Sequence, residues 1–328
     1  MVSIIVPNWN GKPLLKACLI SIAGQSLKDH ETIVVDDAST DGSADYVERE
    51  FPGCFSPRPA GLNAGLPGEK HCVRVVRLNR NRGFAGAVNA GIRVARGEFI
   101  ALLNNDAEAH PRWLEEMFGA FSKDGTLGFV GPKILDRRHP GTIAAAGGRF
   151  SRNGSATDRG RGEPDSAAFN APRRVLWVTG AACMFRRQVF EIVGLFDESF
   201  GSMSEDVDLC FRAQLRGFRG LYVPSAIVHH AVSATWGMNT RRRLYLSSRN
   251  ENCVIVKNLP RRVLAECLPW IAAHQAWTAM ISLLRRDNWS YLRGKLDFFL
   301  DLRRVLEARR QIQGARIVRD EYIRAFIE

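Results

Sequence analysis

Four times in the first part of the chain a short aliphatic run is followed by a stretch with helical spacing, and this alternation constrains the fold more than any other feature. The runs at residues 3–6, 32–35, 73–78 and 99–103 each precede a helical period, at 13–23, 43–49, 85–95 and 111–121. Strands and helices in this succession build a parallel sheet with helices on its faces, because each crossover must pass over the sheet to reach the next strand. Ligands of such sheets sit beyond the carboxyl ends of the strands. The segments to inspect are therefore 7–11, 36–43, 79–86 and 104–108. With 328 residues, 45% of them hydrophobic, the chain can bury a sizeable core, which excludes general disorder.

The alternation pauses twice. Residues 51–71, with Pro52, Pro57, Pro59 and Pro67, read as an excursion loop, and the Gly- and Arg-rich stretch 140–172 reads as hairpins or a flap, with order returning at 175–178. After Thr240 the pattern becomes purely helical, over 241–256, 261–284, 289–310 and a short helix from 315. The expected organisation is a mixed α/β region, 1–240, and a basic helical region, 241–328.

Charge separates the two regions. The chain has 46 Lys/Arg and 34 Asp/Glu, a formal +12, and residues 239–328 hold 18 and 9 of these, hence +9 of the total. Arginine pairs among Leu, Trp and Phe suit helices lying on an anionic membrane surface, and equally a basic subdomain packed on the core. No RNP, KH or zinc-finger pattern is present, so nucleic acid is not an expected partner. The apolar stretch 268–284 is interrupted by His274, Gln275, Thr278 and Ser282 and makes a poor membrane span. Val2 to Val6 meets Pro7 and Asn8 too early for a secretory h-region, so a cytoplasmic location, peripheral on the membrane face, is expected. The seven cysteines contain no CxxC pair and read as reduced thiols.

The strand-end segment 36–43 places Asp36 and Asp37 side by side, followed by Ser39, Asp41 and Ser43. Carboxylates there can accept from a nucleobase N–H or from ribose hydroxyls, or can simply cap and turn. The segment 104–108 offers only oxygen ligands, Asn104, Asn105, Asp106 and Glu108, a set that suits Mg²⁺ or Mn²⁺, or a helix-capping turn.

Taken in order and spacing, Ser3-Ile4-Ile5-Val6-Pro7-Asn8-Trp9-Asn10, the Asp36-Asp37-x-Ser39-x-Asp41-Gly42-Ser43 run, Asn81-x-Gly83-Phe84-Ala85-Gly86-x-x-Asn89 and Leu103-Asn104-Asn105-Asp106 resemble a family 2 glycosyltransferase of the GT-A fold. The likeness is greatest to rhamnosyltransferase-type enzymes of cell-surface polysaccharide assembly. It continues through Trp177-Val178-Thr179-Gly180-Ala181 and Glu205-Asp206-Val207-Asp208 to the histidine segment ending at His230. The resemblance implies a Rossmann-like, nucleotide-sugar-binding mixed sheet flanked by helices, and inverting transfer of a sugar from a nucleoside diphosphate, UDP- or dTDP-linked, to a glycan or polyprenyl-linked hydroxyl. It implies Asp206 as general base, and Pro7, Asn8, Trp9, Asn10, Asp36, Asp37, Asn81, Gly83, Asn104 and Asn105 as the nucleotide-sugar set. Asp106 and His230 would hold a divalent metal, and Glu205, Trp177 and Gly180 would face the acceptor. Asn104 stands where many relatives carry Asp, which leaves a catalytically silent scaffold, or a membrane-peripheral interaction protein, as the alternative.

Overall fold

The computed structural model describes residues 1–51, 73–231, 241–284 and 289–328. The expected loop beyond Phe51, Cys54, Cys72, the expected boundary near 240, and Arg285 and Arg286 lie outside the described residues.

The chain runs β1 (Val2–Asn8), α1 (Lys12–Ala23), β2 (His30–Asp36), α2 (Ser43–Glu50), β3 (Val73–Arg77), α3 (Gly83–Val94), β4 (Phe99–Leu103), β5 (Ala107–Ala109) and α4 (Trp113–Lys123). The alternation expected from the sequence is thus present. It continues with β6 (Leu127–Asp136), β7 (Ile143–Ala145), the hairpin β8 (Gly148–Phe150) and β9 (Ala156–Asp158), β10 (Arg173–Arg174), β11 (Ala182–Arg186), α5 (Arg187–Val193), α6 (Glu205–Leu215) and β12 (Arg219–His230). The tail forms α7 (Arg241–Asn258), α8 (Arg261–Leu284), α9 (Trp289–Leu300), α10 (Leu302–Gly314) and α11 (Asp320–Arg324).

Strands β3, β2, β1 and β4 are mutually parallel, and β11 enters antiparallel between β4 and β6, so the sheet is mixed, in the order β10-β12-β6-β11-β4-β1-β2-β3. Side chains alternate across it with period two. Ile5, Ile33 and Val35 face one core layer, which α3, α5 and α6 cover; Val2, Ile4, Val6 and Val34 face the other, under α1 and α4. Cys253, Val254, Ile255, Leu259, Ile271, Phe298 and Val305 of the tail belong to the first layer, so α7–α10 share its core.

Residues 175–178 are buried, and the carbonyls of Val175 and Leu176 accept from the Gln214 side chain at 2.8 and 3.2 Å. One expectation is corrected. The single helix expected over 289–310 breaks at Asp301, whose carboxylate is held by the Arg249 guanidinium of α7. The cysteines Cys18, Cys183, Cys210, Cys253 and Cys267 are free and buried.

Candidate active site

The carboxyl ends of β1, β2 and β4 open into a cleft of about 590 Å³. From the nucleotide-sugar set, Pro7, Asn8, Trp9, Asp37, Asn81, Gly83, Asn104 and Asn105 line it. Asp106, His230, Trp177, Gly180, Glu205 and Asp206 line it as well. Asn10 and Asp36 do not.

Their hydrogen bonds explain why. Asp36 is 4% exposed and accepts from Asn8 Nδ2 at 3.2 Å and from the Ser39 N–H at 3.1 Å. Asn10 donates its N–H to Ser39 Oγ at 2.9 Å and accepts from the Thr40 N–H at 2.8 Å, while Asp41 accepts from the Lys12 N–H at 3.0 Å at the start of α1. Two adjacent loops leave backbone donors without partners, and these side chains supply the acceptors. Asp36, Ser39 and Asp41 therefore act as caps and turn formers. Asn8 Oδ1 in turn accepts from Asn105 Nδ2 at 2.7 Å, which ties together the ends of β1, β2 and β4.

Asp37 caps α3. Its two oxygens accept from the Arg82 N–H at 2.7 Å and the Gly83 N–H at 2.9 Å, and burial outweighs these bonds to raise its carboxyl above the ordinary range. Gly83 has φ +73°, and a Cβ there would lie 2.7 Å from the Gly201 carbonyl oxygen, so only glycine lets α3 begin against the 201–204 loop.

Strand register brings Asp106 and His230 together. β5 pairs antiparallel with β12 so that His230 faces Ala107, and His230 Nε2 lies 2.9 Å from Asp106 Oδ1. Asn104 Oδ1 is buried in the same corner without a hydrogen-bond partner. Among the described residues no group of three or more His, Cys, Asp or Glu could cage a metal. One carboxylate, one imidazole and an orphaned amide oxygen nevertheless fit a hard divalent ion that keeps waters and takes the rest of its shell from a diphosphate.

Asp206 lies in the first turn of α6. Its Oδ2 accepts from the Gly180 N–H at 2.8 Å and its Oδ1 from the Val207 N–H at 2.8 Å; burial pushes its carboxyl upward against these bonds, and the net direction is up. Glu205 is 5% exposed, its Oε2 has no partner, and burial with the adjacent Asp206 raises it well above the ordinary value. Two carboxyls with raised pKa at a helix N-terminus inside a cleft are the groups to examine for proton transfer.

The loop that aims Asp206 is unusual: Met203 and Ser204 both have positive φ, 76° and 68°. It is held by α7, where fully buried Asn250 donates through Nδ2 to the carbonyls of Phe200, Ser202 and Met203 at 3.0, 3.0 and 2.8 Å. Arg212, on the same helix as Asp206, is structural: it binds Asp208 at 2.9 Å and the carbonyls of Val193 and Leu195 at 2.6 and 2.9 Å.

Sequence reasoning missed Asn250, because nothing in a helical period marks an inward amide as a loop clamp. It also missed Asp158, Arg161, Ser202 and Arg243, which line the cleft. Asp158 ends β9, and burial, opposed by Arg161 at 3.5 Å and reinforced by Asp206, pushes it up to about 6. The acid amid the glycines of 147–162 was the available signal for a hairpin reaching the site.

A parallel sheet meeting antiparallel strands defines a GT-A type fold, and it brings Asp106 and Asp206 into one cleft. The glycosyl transferase family 2 model matches residues 3–193 and the glycosyl transferase family group 2 model residues 99–294, and the chain belongs to family 2. It is 31% identical over 231 residues to a pre-mycofactocin glycosyltransferase of Mycobacterium tuberculosis, a match covering 70% of this chain and 42% of that one. It is 27% identical over 249 residues to an N-acetylglucosaminyl-diphospho-decaprenol L-rhamnosyltransferase of the same species, covering 71% and 76%. Against the first relatives matched, the chain spans between 25% and 42% of their length. Its fold is similar to a Pyrobaculum calidifontis mannosyltransferase solved with GDP-Man and Mn²⁺, with TM-score 0.55, 19% identity, and 96% of this chain and 85% of that chain covered.

Proposed function

We propose that the chain transfers a glycosyl group from a nucleoside diphosphate sugar to a hydroxyl of a glycan or polyprenyl-linked acceptor, with inversion at the anomeric carbon. In the step, the acceptor oxygen bonds to the anomeric carbon as its proton passes to Asp206, and the bond to the diphosphate oxygen breaks with both electrons leaving on the diphosphate. The observation that carries this reading is Asp206 itself, a carboxylate with raised pKa oriented by the Gly180 and Val207 N–H groups in a cleft that also holds the Asp106–His230 pair. A base whose pKa is raised takes a proton more readily when ionised.

Asp106 and His230, with Asn104, would hold Mg²⁺ or Mn²⁺, and such an ion, when bound, offsets charge on a departing diphosphate. Asn8 and Asn105 fix the strand ends on which the nucleotide would rest, and Trp9, which lines the cleft, would stack on its base. The relatives whose names specify a rhamnosyltransferase and a decaprenol-linked acceptor support a deoxyhexose donor and a lipid-linked acceptor here.

The test is calorimetry and thermal shift of UDP, dTDP, GDP and CDP, each with and without Mn²⁺, on the wild type and on Asp106→Ala. One nucleotide is expected to stabilise the wild type in a metal-dependent way that Asp106→Ala loses. If a folded sample responds to none of them, the silent-scaffold reading replaces this one.

A further inference from the structure

Helix α8 contains no Asp, Glu, Lys or Arg from Cys267 to Leu284, yet only one side of it is buried. Val263, Cys267, Ile271 and Ser282 face inward. Outward stand Leu268, Trp270, Trp277, Met280, Leu283 and Leu284, with Trp270 and Trp277 58% and 59% exposed. Trp270, Trp277 and Leu284 follow each other at heptad spacing and so form one line along the helix. On α9, which packs against α8, Trp289, Leu296 and Phe299 are exposed and share a face by the same spacing. Scattered single apolar side chains are normal on a surface; a two-helix sheet of them with three tryptophans marks an interaction site. No helix of the described residues is long and apolar enough to cross a membrane.

Charge selects the occupant. Residues 261–314 carry ten Lys/Arg against five Asp/Glu. Exposed Arg261 and Arg262 open α8, Arg293 stands in line between Trp289 and Leu296, and exposed Arg303 and Arg310 follow on α10. A second copy of the chain would set this positive surface against itself. An anionic bilayer complements it, with tryptophan at the boundary between headgroups and acyl chains and arginine on the phosphates. We propose that the outer face of α8 and α9 docks the protein on an anionic lipid bilayer, lying in the interface without crossing it.

The inner side of α8, together with α7, abuts the cleft wall. Gly154, at φ +87° in the β8–β9 turn, is wedged so that a Cβ would come within 2.4 Å of Ile255 and 3.4 Å of Ile271. Next to it, Ser155 Oγ lies 3.2 Å from Glu251 Oε1 and 3.4 Å from His274 Nε2, joining the hairpin to α7 and α8. The following residues, Ala156, Thr157 and Asp158, line the cleft. A bilayer under α8 therefore lies behind the hairpin that walls the site, where an acceptor carried on a lipid would arrive.

The experiment is flotation of the full chain with vesicles of phosphatidylcholine alone and of phosphatidylcholine mixed with phosphatidylglycerol, at low and high salt. The wild type is expected to float with the anionic vesicles, less so at high salt, and Trp270→Ser/Trp277→Ser to lower the bound fraction by about tenfold or more. Both side chains are exposed, so the double variant should keep its circular dichroism and its nucleotide response. Arg261→Gln/Arg262→Gln is expected to weaken the salt dependence without abolishing flotation. Absence of wild-type flotation, equal flotation of the tryptophan variant, or a solution dimer that this variant dissolves would each overturn the proposal. Because the readout is lipid and not nucleotide, docking and glycosyl transfer stand or fall separately.

Discussion

Asn250 offers the sharpest test of how the tail supports the site. Its Nδ2 serves the carbonyls of Phe200, Ser202 and Met203, and its Oδ1 accepts from Arg249 Nη1 at 3.1 Å, so Asn250→Ala empties a fully satisfied amide position. An NH₂ group has only two hydrogens, so about two full bonds serve three acceptors. At ~1 kcal/mol for each bond, with a further ~1 kcal/mol for leaving carbonyls unsatisfied in a buried place, the variant should lose about 2–4 kcal/mol. For a chain of 328 residues that is a fall of roughly 3–6 °C in Tm. The cost should also appear in the chemistry. Met203 and Ser204 hold left-handed conformations that cost ~1–2 kcal/mol each, and without the clamp the loop can relax and turn Asp206 away. Urea denaturation of the full chain measures the first effect and turnover at saturating donor the second, with nucleotide affinity near wild type because Asn8, Asp37 and Asn105 are untouched. Asn250→Asp, which keeps the shape but turns an acceptor toward the carbonyls, should be at least as destabilised. A loss under about 0.5 kcal/mol for both variants would refute the clamp.

Asp206→Asn should reduce turnover by on the order of 10²-fold or more while donor binding persists, measured as sugar release and by calorimetry; near-normal turnover would remove Asp206 as the base. Lys257→Met should cost ~3–5 kcal/mol at neutral pH, because Asp208, with no exposed surface, would keep only Arg212 as a charged partner. Burial alone would raise Asp208, but Lys257 and Arg212 overcome it and hold the carboxyl below its ordinary 3.8; burial and Lys257 act on Asp197 in the same opposed way, with the same result. A depressed folded pKa gives stability that is present above the unfolded value and is lost as pH falls through it toward the folded one. The wild type should therefore lose stability as pH drops below about 4–5, and the variant should show a shallower slope there.

The alternation of strand and helix was legible because parallel strands are buried on both faces, and a short aliphatic run such as Ile4 to Val6 has few other uses. The strand-end polar residues were legible as a set but not one by one. Asp36 and Asp37 are adjacent and chemically identical, yet Asp36 is turned inward to Asn8 and Ser39 while Asp37 reaches the cleft, a difference fixed by strand pleat and loop hydrogen bonds, not by residue type. His230 was visible by resemblance, but its partner was set by the β5–β12 register, which pairs positions more than a hundred residues apart. The least legible part was the tail. Its charge and apolar content were plain, but that content serves two surfaces. Asn250, Lys257 and Asn258 face inward and hold α6 and its preceding loop, while Trp270 and Trp277 face outward. A helical period shows that two faces exist and does not say which neighbour each one meets.

That double use has a physical consequence for the site. The loop that leads into Asp206 is braced from α7, and the hairpin carrying Asp158 is braced from α7 and α8. The strand-end corner with Asn8, Asn105, Asp106 and His230 is braced within the sheet. The geometry of the proposed nucleotide side thus depends on strand register, whereas the geometry of the proposed base and the hairpin wall depends on helices whose outer face is apolar and basic. Displacing α8 by a fraction of a turn would move Ile271 and His274 against Gly154 and Ser155 while leaving the Asp106–His230 pair in place. Substitutions on the inner side of the tail should therefore alter turnover and acceptor use before they alter nucleotide affinity, which is the opposite of what an appended membrane anchor would do.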